Sequence, residues 1–147
     1  MSGVRTKEFF ASLVGELTRL PSETEWVEFK VNDDEAQDIG EYISALANSA
    51  ALEGKAFGYL VWGVRNGDHA IVGTKFRPRI KKVGNEELES WLLHMLNPKI
   101  NFSFHEVEID GFPVVVLEIE RAMRTPVQFR NAEYIRVGSY KKRLRLR

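Results

Sequence analysis

The sequence predicts an α+β domain in which about three helices pack on a mixed β-sheet. Three segments place apolar residues at the three- and four-residue spacing of a helix face. Between them lie runs that alternate apolar and polar residues or turn at Asn-Gly and Asp-Gly, the signature of strands and hairpins. Helix and strand segments do not follow the regular βαβ order that builds a parallel sheet. With 147 residues, 44% hydrophobic and 29% charged, the chain suits one domain over residues 1–147.

Taken in order, Thr6 is placed to cap a helix over about 6–20, whose apolar stripe is Phe9, Phe10, Leu13, Leu17 and Leu20. Pro21 and Ser22 end it. In the stretch that follows, Glu-Thr-Glu-Trp-Val-Glu-Phe-Lys (23–30), Val27, Phe29 and Val31 alternate at period two and turn one strand face into a core. Trp26, Glu28 and Lys30 then project from the other face, near Glu23 and Glu25. Asp33, Asp34 and Glu35 suit the positive end of a second helix. There Ile39, Ile43, Leu46 and Ala50, with small residues between them, predict tight packing on a sheet.

Residues 56–64 read as a buried central strand, turned at Asn66-Gly67 toward a partner at 70–72. Asn85 is placed to cap a helix over 86–96 that stops at Asn97-Pro98. Phe102, Phe104, Val107 and Ile109 open a strand pair turned at Asp110-Gly111 and completed by 114–119. A short strand at 134–137 leaves a basic tail at about 138–147.

Composition excludes several classes. Without cysteine there is neither a disulfide scaffold nor a thiolate metal site. The N-terminus carries no signal-peptide run, and the longest apolar stretches, 57–64 and 112–117, are too short to cross a bilayer. These features predict a cytoplasmic protein without a membrane partner. Net charge is zero, yet residues 1–74 carry 6 Lys+Arg against 12 Asp+Glu, and residues 75–147 carry 15 against 9. Two basic clusters stand out: Lys75, Arg77, Arg79, Lys81 and Lys82, then Arg136, Lys141, Lys142, Arg143, Arg145 and Arg147. Such clusters suit phosphate binding; they equally suit a solvated tail.

Gly54-Lys55 lacks both the upstream glycine and the hydroxyl of a phosphate loop, and there is no dinucleotide fingerprint. His69, His94 and His105 lie on different elements without metal-ligand spacing. Glu23, Glu25 and Glu28 repel one another unless paired with cations, bound to metal or partly protonated. They also fit a solvated strand edge whose charge discourages aggregation.

Five segments in fixed order, residues 23–30, Tyr-Ile-Ser-Ala-Leu-Ala-Asn-Ser-Ala (42–50), Tyr-Leu-Val-Trp-Gly-Val-Arg-Asn-Gly (59–67), 71–73 and Tyr-Ile-Arg-Val-Gly-Ser-Tyr-Lys-Lys-Arg-Leu (134–144), resemble the Schlafen AlbA-like DNA-binding domain family. The resemblance covers about 20–144 and implies a single-lobe bacterial member of regulator type. It departs at Ala50-Ala51, where many members carry Gly-Gly. The resemblance implies a nucleic-acid-binding domain of a transcriptional-regulator-like protein, in which ATPase-like and winged-helix regions follow in many relatives. Lys30, Arg136, Gly138, Ser139, Lys141, Lys142 and Arg143 are the expected contacts to DNA or RNA. Cations and the hydroxyl reach phosphate oxygens, and glycine lets backbone approach closely.

Schlafen relatives that cleave structured RNA use a carboxylate triad. By position Glu23 and Glu28 match the first two members, as catalytic and metal-binding residues for Mg or Mn. The third falls on Asn66, which brings no charge, with Asp68 two residues on. The expectation therefore leans away from an enzyme, with no cofactor. A structural or oligomerisation role is a third reading. Schlafen relatives contain two facing lobes, which implies a homodimer here, and Phe102, Phe104, Val114, Val116 and Phe129 offer apolar surface for one.

Overall fold

The computed structural model describes residues 6–21 and 24–144. Helix α1, Lys7–Leu17, starts where expected, with Thr6 Oγ1 accepting the Phe9 N–H at 3.1 Å. Strand β1, Val27–Lys30, leads to α2, Ala36–Leu52, and then β2, Phe57–Trp62. After a long arm come β3, Lys82–Val83, β4, Glu86–Glu87, α3, Leu88–Met95, and β5, Leu96–Asn97. The C-terminal part is all strand: β6, Phe102–Ile109; β7, Phe112–Glu120; β8, Gln128–Phe129; β9, Ala132–Val137; and β10, Tyr140–Leu144. The α+β class is correct. Among the described residues no helix is long and apolar enough to cross a membrane.

The main sheet runs β1-β2-β7-β6, with β1 parallel to β2 and the other neighbours antiparallel. Both faces are covered, so β2 and β7 read as nearly unbroken apolar runs. On one face Phe10, Val14 and Leu17 of α1 pack on Val27, Phe29, Val61, Val114 and Val116. On the other, Ile39, Ile43 and Leu46 of α2 and Leu88 and Leu92 of α3 pack on Leu60, Trp62, Val115, Leu117 and Phe129. The five hydrophobics that suggested a dimer are thus taken up by the protein's own cores, with Phe102 and Phe104 packed against the second.

The structure corrects the sequence reading in four places. There are further sheets, the larger ordered β10-β9-β8-β5. The expected basic tail is an ordinary strand through Leu144, paired antiparallel with β9; residues 145–147 lie outside the described part. The third helix begins at Leu88 because Gly84, at φ +62°, and Asn85 make a turn joining β3 to β4, which occupies the residue expected to cap it. The partner expected at 70–72 is reduced to a single bridge, Val64 to Ile71.

The main sheet and α2 come close together at Gly58, where a Cβ would stand 2.6 Å from the Leu46 carbonyl oxygen. Backbone cannot yield there as a flexible side chain would. Gly58→Ala is expected to lower stability by about 1–3 kcal/mol, the usual range for overpacking. Urea unfolding with no shift in midpoint would show that strand and helix tolerate separation.

Candidate functional site

The candidate site forms where α2, the outer edge of β1 and the β9–β10 hairpin meet. Strand β8 pairs with β9 only at Ala132 and Glu133, so the next backbone groups of β9 need other partners. Helix α2 supplies them with side chains. Ser44 Oγ accepts the Tyr134 N–H at 3.0 Å and donates to the Val127 carbonyl at 2.7 Å. Asn48 Nδ2 donates to the carbonyls of Tyr134, at 2.9 Å, and Val127, at 3.1 Å, while its Oδ1 accepts the Val127 N–H at 2.8 Å. Ser49 Oγ accepts the Arg136 N–H at 3.0 Å. Three polar residues in the otherwise apolar stretch 43–52 of the helix therefore stand in for a neighbouring strand. The sequence reading saw small residues for close packing and missed this task; a Ser-x-x-x-Asn-Ser run inside an apolar helix was the available signal.

Among the described residues strand β1 is paired on one side only, and Arg136 covers its open side. The guanidinium, 3% exposed, donates from Nη1 to the carbonyls of Thr24 and Val27. Its Nη2 lies 3.0 Å from Glu28 Oε1, also 3% exposed, as an ion pair without hydrogen-bond alignment. Glu25 Oε2 accepts the Gly138 N–H at 2.7 Å, fastening the hairpin tip to the same edge. Lys30 Nζ stands 3.7 Å from Glu28 Oε2. Burial pushes the Glu28 carboxyl up, and Arg136 and then Lys30 offset only part of that rise.

A second ionic layer adjoins the first. Lys30 and Lys141 lie 5.0 Å and 4.3 Å from the Tyr42 ring centroid. Lys141 is ion-paired with Asp38 and, at 2.9 Å, with Glu41. For Lys141, burial works against the ammonium, but Asp38 and Glu41 outweigh it and its pKa stands above the ordinary lysine value. Asp38 is pushed up by burial and by its hydrogen bond with Asp33, whose own pKa that bond lowers.

These contacts redistribute the residues expected from sequence. Arg136 is buried, and Lys30 and Lys141 are half-buried, each engaged by acids or an aromatic ring of the fold itself. Gly138, at φ +59°, serves a turn, and its N–H is already committed to Glu25. Ser139, Lys142 and Arg143 are exposed on the hairpin. Glu23 lies outside the described residues. Asn66 is exposed in a turn, and the nearby Asp68 is held by Arg65 through bonds of 2.8 and 3.1 Å, which keep its pKa at about 2. No three carboxylate or imidazole groups converge on a metal position among the described residues. The Glu28 carboxylate already faces two cations, so a divalent ion would have to displace Arg136, and the described residues do not fit a Mg or Mn site.

An α+β domain with a buried acid–base junction under an exposed basic hairpin is what the geometry defines. The chain belongs to the Schlafen, AlbA_2 family, whose description matches residues 23–145. No curated protein matches. Among solved structures, the chain is similar to the N-terminal domain of a putative ATP-dependent DNA helicase RecG-related protein from Nitrosomonas europaea, with TM-score 0.55 and 22% identity over 98% of this chain and 96% of that one. It is also similar to a protein from Corynebacterium diphtheriae, with TM-score 0.58 and 14% identity over 94% of this chain. The chain spans only 27% of that second protein's length. At such identities the likeness is one of fold.

Proposed function

We propose that the domain binds DNA or RNA through phosphate contacts, as the binding part of a regulator-type protein. The observation that carries this reading is the exposed β9–β10 hairpin, where Ser139, Lys142 and Arg143 face solvent on a backbone anchored from below by Arg136. Membership of the Schlafen, AlbA_2 family supports it. Phosphate contacts set position without reading sequence, so binding is expected to be indifferent to base order. The reading is one of binding and not of catalysis, because Glu28 is engaged by Arg136 and Lys30.

Fluorescence anisotropy with labelled duplex DNA and RNA tests it. Affinity should fall steeply with salt, and Lys142→Gln/Arg143→Gln should flatten the log–log slope on DNA by roughly 0.9 for each phosphate that is no longer neutralised. No binding at low salt, or binding insensitive to salt, would end the proposal.

A further inference from the structure

We infer that the arm at residues 74–82 is a second phosphate-contacting surface, separate from the β9–β10 hairpin. The inference rests on the nucleic-acid reading above. Along the arm, side chains alternate inward and outward: Thr74, Phe76 and Pro78 are buried, whereas Lys75, Arg77 and Arg79 are exposed. Phe76 fixes the arm to the core, its ring 4.6 Å from Trp62 and 6.0 Å from Phe104. Asn32 Oδ1 accepts from the Lys75 N–H at 2.8 Å and from Thr74 Oγ1 at 3.2 Å, and the Thr74 N–H donates to the Pro113 carbonyl at 2.9 Å. The cations therefore stand on a framework already in place, which lowers the ordering cost of binding.

The outward charges form few ion pairs within the fold, although Arg77 Nη1 also donates to the Phe76 carbonyl at 3.2 Å. Lys75, Arg77 and Lys82 make no ion pair among the described residues. Arg79 approaches Glu106 only at 3.9 Å while 83% exposed, a geometry worth little in water. Lys81 alone is drawn sideways, to Asp34 at 3.6 Å. No acid interrupts residues 74–82. At the turn of the arm Ile80 is 75% exposed.

The acidic start of α2 divides the two basic surfaces. Asp34 meets the arm through Lys81, and Asp38 meets the hairpin through Lys141.

The test compares three variants in anisotropy titrations against salt, with duplex DNA and single-stranded RNA as probes. Lys75→Gln/Arg77→Gln/Lys82→Gln removes exposed arm charges and leaves the Phe76 anchor. Lys142→Gln/Arg143→Gln alters the hairpin. Lys7→Gln/Arg121→Gln/Arg124→Gln removes three exposed charges elsewhere and controls for net charge. The arm variant should weaken binding and flatten the slope by about 0.9 per phosphate released on duplex and about 0.7 on single strands, beyond the control. Wild-type binding with arm and control variants indistinguishable would overturn the arm while leaving the proposed function standing. A wild-type protein that binds neither probe would remove both. An arm variant that loses affinity for polyglutamate but not for either nucleic acid would assign the arm to an acidic protein and overturn the inference.

Discussion

Replacing Arg136 with methionine is expected to cost about 3–5 kcal/mol, the usual result of removing one partner from a buried ion pair. Three effects coincide. Glu28 keeps its burial without its nearest cation, and the carbonyls of Thr24 and Val27 are each deprived of a donor on the open edge of β1. Lys30, 3.7 Å away, remains as partial compensation. Against a typical total stability of about 5–15 kcal/mol the change is large, and urea unfolding will read it directly.

The effect should depend on pH. Burial holds the folded Glu28 pKa above its unfolded value, and removing Arg136 raises it further. A carboxyl with a raised folded pKa favours the native state below its unfolded pKa and penalises it as pH rises through the folded one. Arg136→Met should therefore be more damaging in neutral buffer than in acid. Glu28→Leu/Arg136→Met, which removes both charges, should recover part of the loss, because an apolar pair of similar volume replaces an ion pair at little cost. Equal damage in the single and double variants would show that the backbone bonds, not the ion pair, carry the effect.

Truncating Asn48 to alanine is expected to be nearly as severe, at about 2–5 kcal/mol. The Val127 N–H and the Tyr134 carbonyl would be left without their Asn48 partner, and orphaned buried groups cost about 1–3 kcal/mol each. The Val127 carbonyl keeps Ser44. Asn48→Asp is the sharper test, since it conserves volume yet turns a carboxylate oxygen toward two carbonyls. It should destabilise at least as much as alanine in neutral buffer. If Asn48→Ala unfolds within about 0.5 kcal/mol of wild type, the range of an ordinary surface change, α2 does not replace a strand for β9.

Local pattern made much of the architecture legible. Thr6 caps α1, the acids at 33–35 precede α2, and Asp110-Gly111 turns β6 into β7 because each signal acts over a few residues of chain. The strand alternation at Val27 and Phe29 was equally readable, since period two is a property of extended backbone. Where local signals competed, one had to lose: Asn85 could cap a helix or complete a turn with Gly84, and pairing of β3 with β4 decided for the turn.

The sequence by itself determined the helices, the main strands, their order and the family pattern, because periodicity, caps and turns are written between near neighbours. Which charges face solvent was decided only by the tertiary structure. Arg136 and Lys142 read alike in a basic run, yet one is buried against Glu28 and the other is exposed. Their difference comes from β1, near the other end of the chain, whose open edge and buried carboxylate demand a cation wherever the fold can deliver one. Desolvation supplies the physical reason: a charge taken out of water must find its partner in space, and spatial partners leave no local mark on the residues around them.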